Sequence, residues 1–226
     1  MNLEASARDA LARFEDKLDV LRRFLLTENE KYNLTALTEA DDVSSKHFFD
    51  SFAASPLLPC GASVCDVGCG AGFPLLPLAL ARGDCTFLGV DATEKKVNFV
   101  RAASSLLALE NCRAEHLRAE ELCSSRRESF DVVTARAVAE LSVLCEYCLP
   151  LLKEGGLMIA YKGPGAKTEL DGAKKALSLL GGSAENVIGY SLPTGEERAL
   201  VLIRKTGQTP LKYPRGGNKP RLKPLK

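Results

Sequence analysis

The chain has 226 residues, 46% of them hydrophobic, with 30 basic against 29 acidic side chains for a formal net charge of +1. That length and apolar content build one full core and a small appended unit without metals or disulfides. No apolar run approaches the roughly 20 residues of a membrane span, so a soluble globular chain with no membrane partner is expected.

The opening "MNLEASARDALARFEDK" is charged from its fourth residue and lacks an apolar signal core, which predicts a cytoplasmic protein. Its eight cysteines are scattered through segments that read as strands and helices, and are expected as reduced thiols. Helical spacing follows at once: Leu11, Phe14, Leu18, Leu21 and Leu25 recur at three or four, and "EADDVSSKHFFDSFAA" resumes the habit after a break at "YNLTALT". Residues 1–60 are therefore expected to form a cap of two or three helices.

From residue 61 short apolar runs alternate with longer helical ones. "SVCDV", "CTFLGVD", "CRAEHL", "FDVVTA", "GLMIAYK" and "RALVLIRK" read as strands, with a weaker one through "NVIGYSL". Between them lie "FPLLPLALARG", "TEKKVNFVRAASSLLALE", "AVAELSVLCEYCLPLLK" and "AKTELDGAKKALSLLG". Such alternation predicts an α/β, Rossmann-like domain over 61–205: a mostly parallel sheet with helices on both faces and an antiparallel edge. The last segment, 206–226, is basic and rich in proline and glycine. From Arg204 onward there are eight bases and no acid, leaving a body of 22 bases and 29 acids, net −7. Such a tail reads as an arm for a polyanion, with Arg215, Lys219 and Arg221 as candidate RNA contacts.

"CDVGCGAGFP" (65–74) occupies the turn from first strand to first helix, where a doubly wound sheet holds its ligand. The dinucleotide fingerprint G-x-G-x-x-G would need glycine at position 73, where Phe73 stands; the pattern is D-x-G-x-G-x-G. Asp66 at its head would repel a pyrophosphate but suits the α-amino group of a methionine-type cofactor. The amides of Gly68, Gly70 and Gly72 can approach that cofactor's carboxylate and ribose. Asp91, closing the second strand, stands where a ribose diol needs a bidentate acceptor. Together they point to S-adenosylmethionine. Ala119 and Glu120 after strand three are candidates for the adenine edge. Arg136 after strand four and Lys162 after strand five are candidate positioning cations on the rim.

Several chemistries find no support. The Asn/Asp-Pro-Pro-aromatic signature of exocyclic amine methylation is missing after strand four. The pair Cys145/Cys148 reads as helix packing, since a zinc site needs two further ligands; no metal is expected. The remaining reaction needs no base.

These residues then resemble a family. "KYNLTAL", "HFFDSF", "CDVGCGAGFP", "DATEKKVNFV", "RAEEL", "TARAVAEL", "YKGPG", "EERALVLIRK" and "YPRGGNKP" look like ribosomal small-subunit methyltransferase G, also called glucose-inhibited division protein B, nearly end to end. The resemblance implies a class I methyltransferase fold and S-adenosylmethionine-dependent methylation of guanine N7 in the 530 loop of 16S rRNA, free or in a small-subunit precursor. It implies cofactor contacts at Gly68, Phe73, Ala119, Glu120 and Arg136, and puts His47, Asp50, Ser51, Lys162 and Arg198 near the RNA. Leu75 and Cys69 depart from the family's usual residues. Guanine N7 carries a lone pair and no proton, so the attack asks only for placement, with Phe73 a candidate stacking surface. A monomer is expected. Two other readings stay open: a methyltransferase for a small metabolite, and a non-catalytic RNA-binding module.

Overall fold

The alternation of strand-like and helix-like runs becomes a seven-stranded sheet in the order β3-β2-β1-β4-β5-β7-β6. The structure is a computed structural model and describes residues 2–226. Strands β1 (Ser63–Val67), β2 (Thr86–Asp91), β3 (Cys112–His116), β4 (Phe130–Arg136) and β5 (Leu152–Lys162) run parallel. The edge is antiparallel, as expected: β6 (Gly182–Ser191) pairs with β7 (Glu197–Lys205), which pairs with β5. β6 starts earlier than its apolar run suggests, because Gly182 and Ser183 pair with Lys205 and Arg204 of β7. Pairing extends a strand past the residues whose character announces it.

Central strands are buried on both faces, which is why they read as continuous apolar runs. In β5, Leu157, Ile159 and Tyr161 face one layer, while Met158 and Ala160 face the other. The first layer is made by α4 (Leu75–Ala81), α5 (Glu94–Leu106) and the N-terminal cap. The second is made by α6 (Ala119–Arg126), α7 (Leu141–Cys148), α8 (Ala166–Gly172) and α9 (Lys174–Leu180). One long helix was the expectation for the last two; the chain breaks beside Gly172, a poor helix former. Cys145 and Cys148 are fully buried in α7, and burial pushes the Cys145 thiol up to about 12. They are packing residues.

The cap has three helical segments: α1 (Leu3–Arg13), α2 (Glu15–Tyr32) and α3 (residues 40–52), whose middle, Val43–Phe49, widens into a π-type turn. Asn33 ends α2 in the left-handed conformation at φ 50°, which turns "NLT" toward the sheet. Leu21, Leu25, Phe48 and Phe52 of the cap share one apolar layer with Leu78, Phe99 and Val132, and Phe24 stacks on Phe99 at 5.1 Å. Among the described residues no helix is long and apolar enough to cross a membrane.

The basic C-terminal segment departs from expectation: it is folded onto the α6/α7 face. Arg127 donates to the carbonyls of Tyr213 (2.9 Å) and Thr209 (2.8 Å), and the Tyr213 ring is buried in the second layer. Glu146, 1% exposed, accepts from the Arg215 main-chain N–H (2.8 Å), Nε (2.9 Å) and Nη2 (2.6 Å). Arg204 pairs with Glu185, and Lys205 is buried against the Leu180 carbonyl and Thr209, its ammonium lowered to about 8 by that burial. Beyond Arg215 comes a single short helix, α10 (Lys219–Leu222).

Candidate functional site

A cleft of about 680 Å³ opens at the carboxyl ends of β1 to β4. It lies where the strand order reverses between β1 and β4, the position at which an open α/β sheet receives its ligand. The glycine loop forms its floor. Gly68 and Cys69 donate to the Val90 carbonyl, at 2.8 and 3.0 Å, which locks the loop to β2.

The three glycines, equal in the sequence, are unequal in the fold. A Cβ on Gly72 would lie 2.5 Å from Leu76 Cδ1, and one on Gly68 would lie 2.6 Å from Val138 Cγ2. A Cβ on Gly70 would meet nothing closer than 3.9 Å, so that backbone lies bare to the cleft. Gly72 therefore serves helix packing and is not on the cleft wall, whereas Gly68 and Gly70 are. Leu75 and Cys69, the departures from the family pattern, fill the space beside Gly89: a Cβ there would lie 2.4 Å from Leu75 Cδ2 and 3.0 Å from Cys69 Sγ.

Asp66 lies beneath the loop, 1% exposed. Its Oδ1 accepts from Thr134 Oγ1 at 2.7 Å, and its Oδ2 has no partner among the described residues. Burial pushes this carboxyl up to about 7, against the lowering effects of Thr134 and Arg136. Asp66, like Gly72, is not on the cleft wall; its orphaned, buried oxygen has the chemistry that fits a cationic amino group. Asp91 accepts from the Gly70 N–H (3.0 Å) and Thr93 N–H (2.8 Å), one on each oxygen, so it ties the loop to the end of β2. Each oxygen keeps a second lone pair for a diol.

The opposite wall comes from the cap. Arg136, at the end of β4, donates to the Lys46 carbonyl (2.9 Å), to Asp50 Oδ2 (2.8 Å) and to His47 Nδ1 (2.8 Å). Asp50 Oδ1 accepts from the Tyr190 hydroxyl at 2.5 Å. Since arginine has only donors, His47 Nδ1 must be the acceptor and Nε2 carries the proton, which it donates to Thr35 Oγ1 at 2.9 Å. Burial, and next the Arg136 charge, lower the His47 imidazole to about 3. The ring is neutral, with both nitrogens in use. It stacks on Phe73 with centroids 4.3 Å apart and planes 6° from parallel.

Several expectations need correction on these distances. Asp50 and Ser51 do not reach the RNA side: they are 4% and 0% exposed, Asp50 holding Arg136 and the Ser51 hydroxyl donating to the His47 carbonyl at 2.6 Å. Phe73 is no free stacking surface, being 5% exposed under His47. Lys162 is off the cleft, its ammonium 2.6 Å from Glu169 and 2.8 Å from the Ala139 carbonyl, so it braces the turn after β4. Arg198 is bound to Glu196 (2.8 Å), which also meets Lys46 at 3.2 Å. Arg215 is tied to Glu146, Lys219 is exposed, and Arg221 stands on the cleft wall, donating to the Val138 carbonyl at 3.2 Å.

Ala119 and Glu120 line the cleft at the start of α6, beside Leu117, Arg118 and Tyr147. Sequence reasoning missed Leu34, Thr35, Lys96 and Thr134. The first two lie inside the quoted "KYNLTAL" and Thr134 opens "TARAVAEL", so the motifs held the signal without the roles.

Comparison with known proteins agrees with this geometry. A family model described as rRNA small subunit methyltransferase G matches residues 15–201. The Ribosomal RNA small subunit methyltransferase G of Lactobacillus helveticus is 46% identical over 210 residues, covering 90% of this chain and 88% of its own. That of Bacillus subtilis is 43% identical over 215 residues, covering 93% and 90%. Among solved structures, the YcgJ protein of Bacillus subtilis aligns with a TM-score of 0.55 at 16% identity, over 71% of this chain and 100% of that one. A ribosomal protein L11 methylase from Lactobacillus delbrueckii subsp. bulgaricus aligns at 0.54 and 17%, over 71% and 79%. At such identities the structures speak for the class I methyltransferase fold alone. The sequence relatives go further, because their likeness runs through the cap, the glycine loop and the sheet alike, and on that ground the chain belongs to the rRNA small subunit methyltransferase G family, a family of rRNA methyltransferases.

Proposed function

We propose that this rRNA methyltransferase uses S-adenosylmethionine and methylates N7 of one guanine in the 530 loop of 16S rRNA. The observation that carries the choice of N7 is His47. It is the histidine on the cleft wall, and it cannot take up a proton: Nδ1 is occupied by Arg136, and the imidazole is lowered to about 3. His47 is therefore no general base, and the carboxylates on the wall, Asp91 and Glu120, fall to the cofactor in this reading, so the nucleophile that fits best is guanine N7, which has no proton to lose.

When bound, the cofactor supplies an electrophilic methyl carbon on a sulfonium. The chain's own residues orient and desolvate. Asp66 Oδ2 fits the amino group, the bare Gly70 backbone the close approach, and Asp91 the ribose diol. One face of the His47 ring is covered by Phe73 and both nitrogens are bonded, which leaves the other face for a base to stack on. Asp50 and Tyr190 hold Arg136, and Arg136 holds that ring. Orientation of this kind supplies about 7–11 kcal/mol of a barrier. Guanine N7 is hidden in the deep groove of A-form RNA, so the base must come from a loop or be flipped out.

The product tests the reading. N7-methylguanosine carries a cationic ring that opens in mild alkali and gives strand scission with aniline, so treated 16S rRNA should be cut at one guanine. The single-turnover rate at saturating cofactor should be flat from about pH 6 to pH 9. A methylated guanine that resists scission, or a rate that climbs with a general-base pKa, refutes the choice of N7.

A further inference from the structure

We propose that the C-terminal segment is a wall of the cofactor cleft, in which Arg221 and Leu222 contact the nucleoside half of S-adenosylmethionine. The inference rests on the cofactor assignment above. A basic, Pro/Gly-rich end suggests a loose arm for RNA, yet this end is latched at three points. Arg127 grips its main chain, Glu146 takes three hydrogen bonds from Arg215, and Arg215 Nη2 reaches on to the Lys223 carbonyl at 2.8 Å. The last contact closes residues 215–223 into a loop in which Pro220 is buried. A latch whose carboxylate is 1% exposed fixes the position of everything it carries.

What it carries faces the cleft. Arg221 is bonded to the Val138 carbonyl, in the turn whose side chain lies against Gly68. Its guanidinium and the Glu120 carboxylate both lie near the Tyr147 hydroxyl, so part of its charge is answered locally. Leu222 is 77% exposed on the cleft wall, an apolar surface that a purine ring can cover. The segment packs on the α6/α7 face, beside Leu117, Ala119 and Tyr147, whereas His47 and Arg136 meet the cap on the other face. The apolar end suits a nucleoside base, and the end near Asp66 suits an amino acid. The segment's exposed lysines, Lys212, Lys219 and Lys223, are in no ion pair among the described residues and are the groups RNA phosphates would meet, whereas Arg221 and Leu222 stand on the cleft wall.

The test uses the full-length chain with Arg221→Ala and Leu222→Ser combined. Both side chains are exposed, so the fold should survive, and an unchanged thermal midpoint checks that. Calorimetry with S-adenosylhomocysteine and with 5′-methylthioadenosine should show both affinities falling about tenfold, equivalent to about 1.4 kcal/mol. Equal loss for the two probes assigns the contact to the nucleoside, which they share. S-Adenosylhomocysteine should also slow tryptic cleavage after Arg215 and Arg221 in the unmodified chain. Unchanged affinity for both probes, with a weaker salt dependence of binding to a 16S rRNA fragment, overturns the proposal and makes the segment an RNA arm. Failure of the unmodified chain to bind either probe strikes the cofactor assignment itself.

Discussion

Asp66 is the residue where sequence and fold inform each other most. Its place at the head of D-x-G-x-G-x-G was legible, but its state was not, because Thr134 is 68 positions away and the unpaired Oδ2 exists only once the loop closes over it. The folded carboxyl titrates at about 7 against an ordinary 3.8. A folded value above the unfolded one favours folding most below pH 3.8, and that contribution is lost as pH rises to about 7. Above pH 7 the apoprotein therefore carries a buried charge that costs at most about 4 kcal/mol. Asp66→Asn should accordingly raise the thermal midpoint of the apoprotein at pH 8, while weakening S-adenosylmethionine binding more than tenfold. Binding to the unmodified chain near pH 7 should release a fraction of a proton, visible as a heat that varies with buffer ionisation enthalpy and absent in Asp66→Asn. A lower midpoint in the variant at pH 8 would argue that the carboxylate is compensated. His47 and Phe73 teach the same lesson: each was singled out alone, and only their stacking shows that Phe73, though it also lines the cleft, has a ring face covered by His47.

At the scale of elements, the glycine loop is one motif with two duties. Gly72, at φ +85°, packs against α4, and an added Cβ would sit 2.5 Å from Leu76. Alanine there pays left-handed strain of about 1–2 kcal/mol and a further ~1–3 kcal/mol of overpacking. Gly70, at φ +55°, has open space instead, so alanine carries the strain alone and projects a methyl into the cleft. The expected outcome is a division of effects. Gly72→Ala should lower stability in urea by about 2–5 kcal/mol with cofactor affinity kept in the folded fraction, by the same strain and packing costs. Gly70→Ala should lower affinity with a smaller loss of stability. The opposite ranking would reassign the two. Spacing alone cannot separate them, because Leu76 and Val100, which crowd Gly72, sit in segments that read only as helices. Strand order and the antiparallel edge were readable from run lengths and apolar character. The Arg215 latch was not, since nothing in "CEYC" marks its glutamate as a buried partner for a residue 69 positions on.

For the molecule as a whole, the division at residue 60 marks a change of sequence rhythm that the packing does not repeat. Cap and sheet share one apolar layer, in which Leu21, Leu25 and Phe48 touch the same cluster as Phe73, Phe99 and Val132. We infer that they fold as one unit. Thermal unfolding should show a single transition, with far-ultraviolet dichroism and calorimetry coincident. A separate early melting of helical signal would restore the cap as a domain. Charge tells a similar story: the body is net −7, yet Arg204 and Arg215 of the basic segment are bound within the fold and Lys205 is buried there, so the surface is less polarised than the count suggests.

The cysteines give that single unit an internal clock. Cys60 is the exposed thiol among the described residues, while Cys65, Cys69, Cys112, Cys123, Cys145 and Cys148 are buried, each raised by that burial. A water-borne electrophile meets one sulfur in the closed protein, and the others only when their own neighbourhood comes apart. Cys69 thus times the breathing of the glycine loop, and Cys145 and Cys148 the loosening of the helix that holds the C-terminal latch, without any label being introduced.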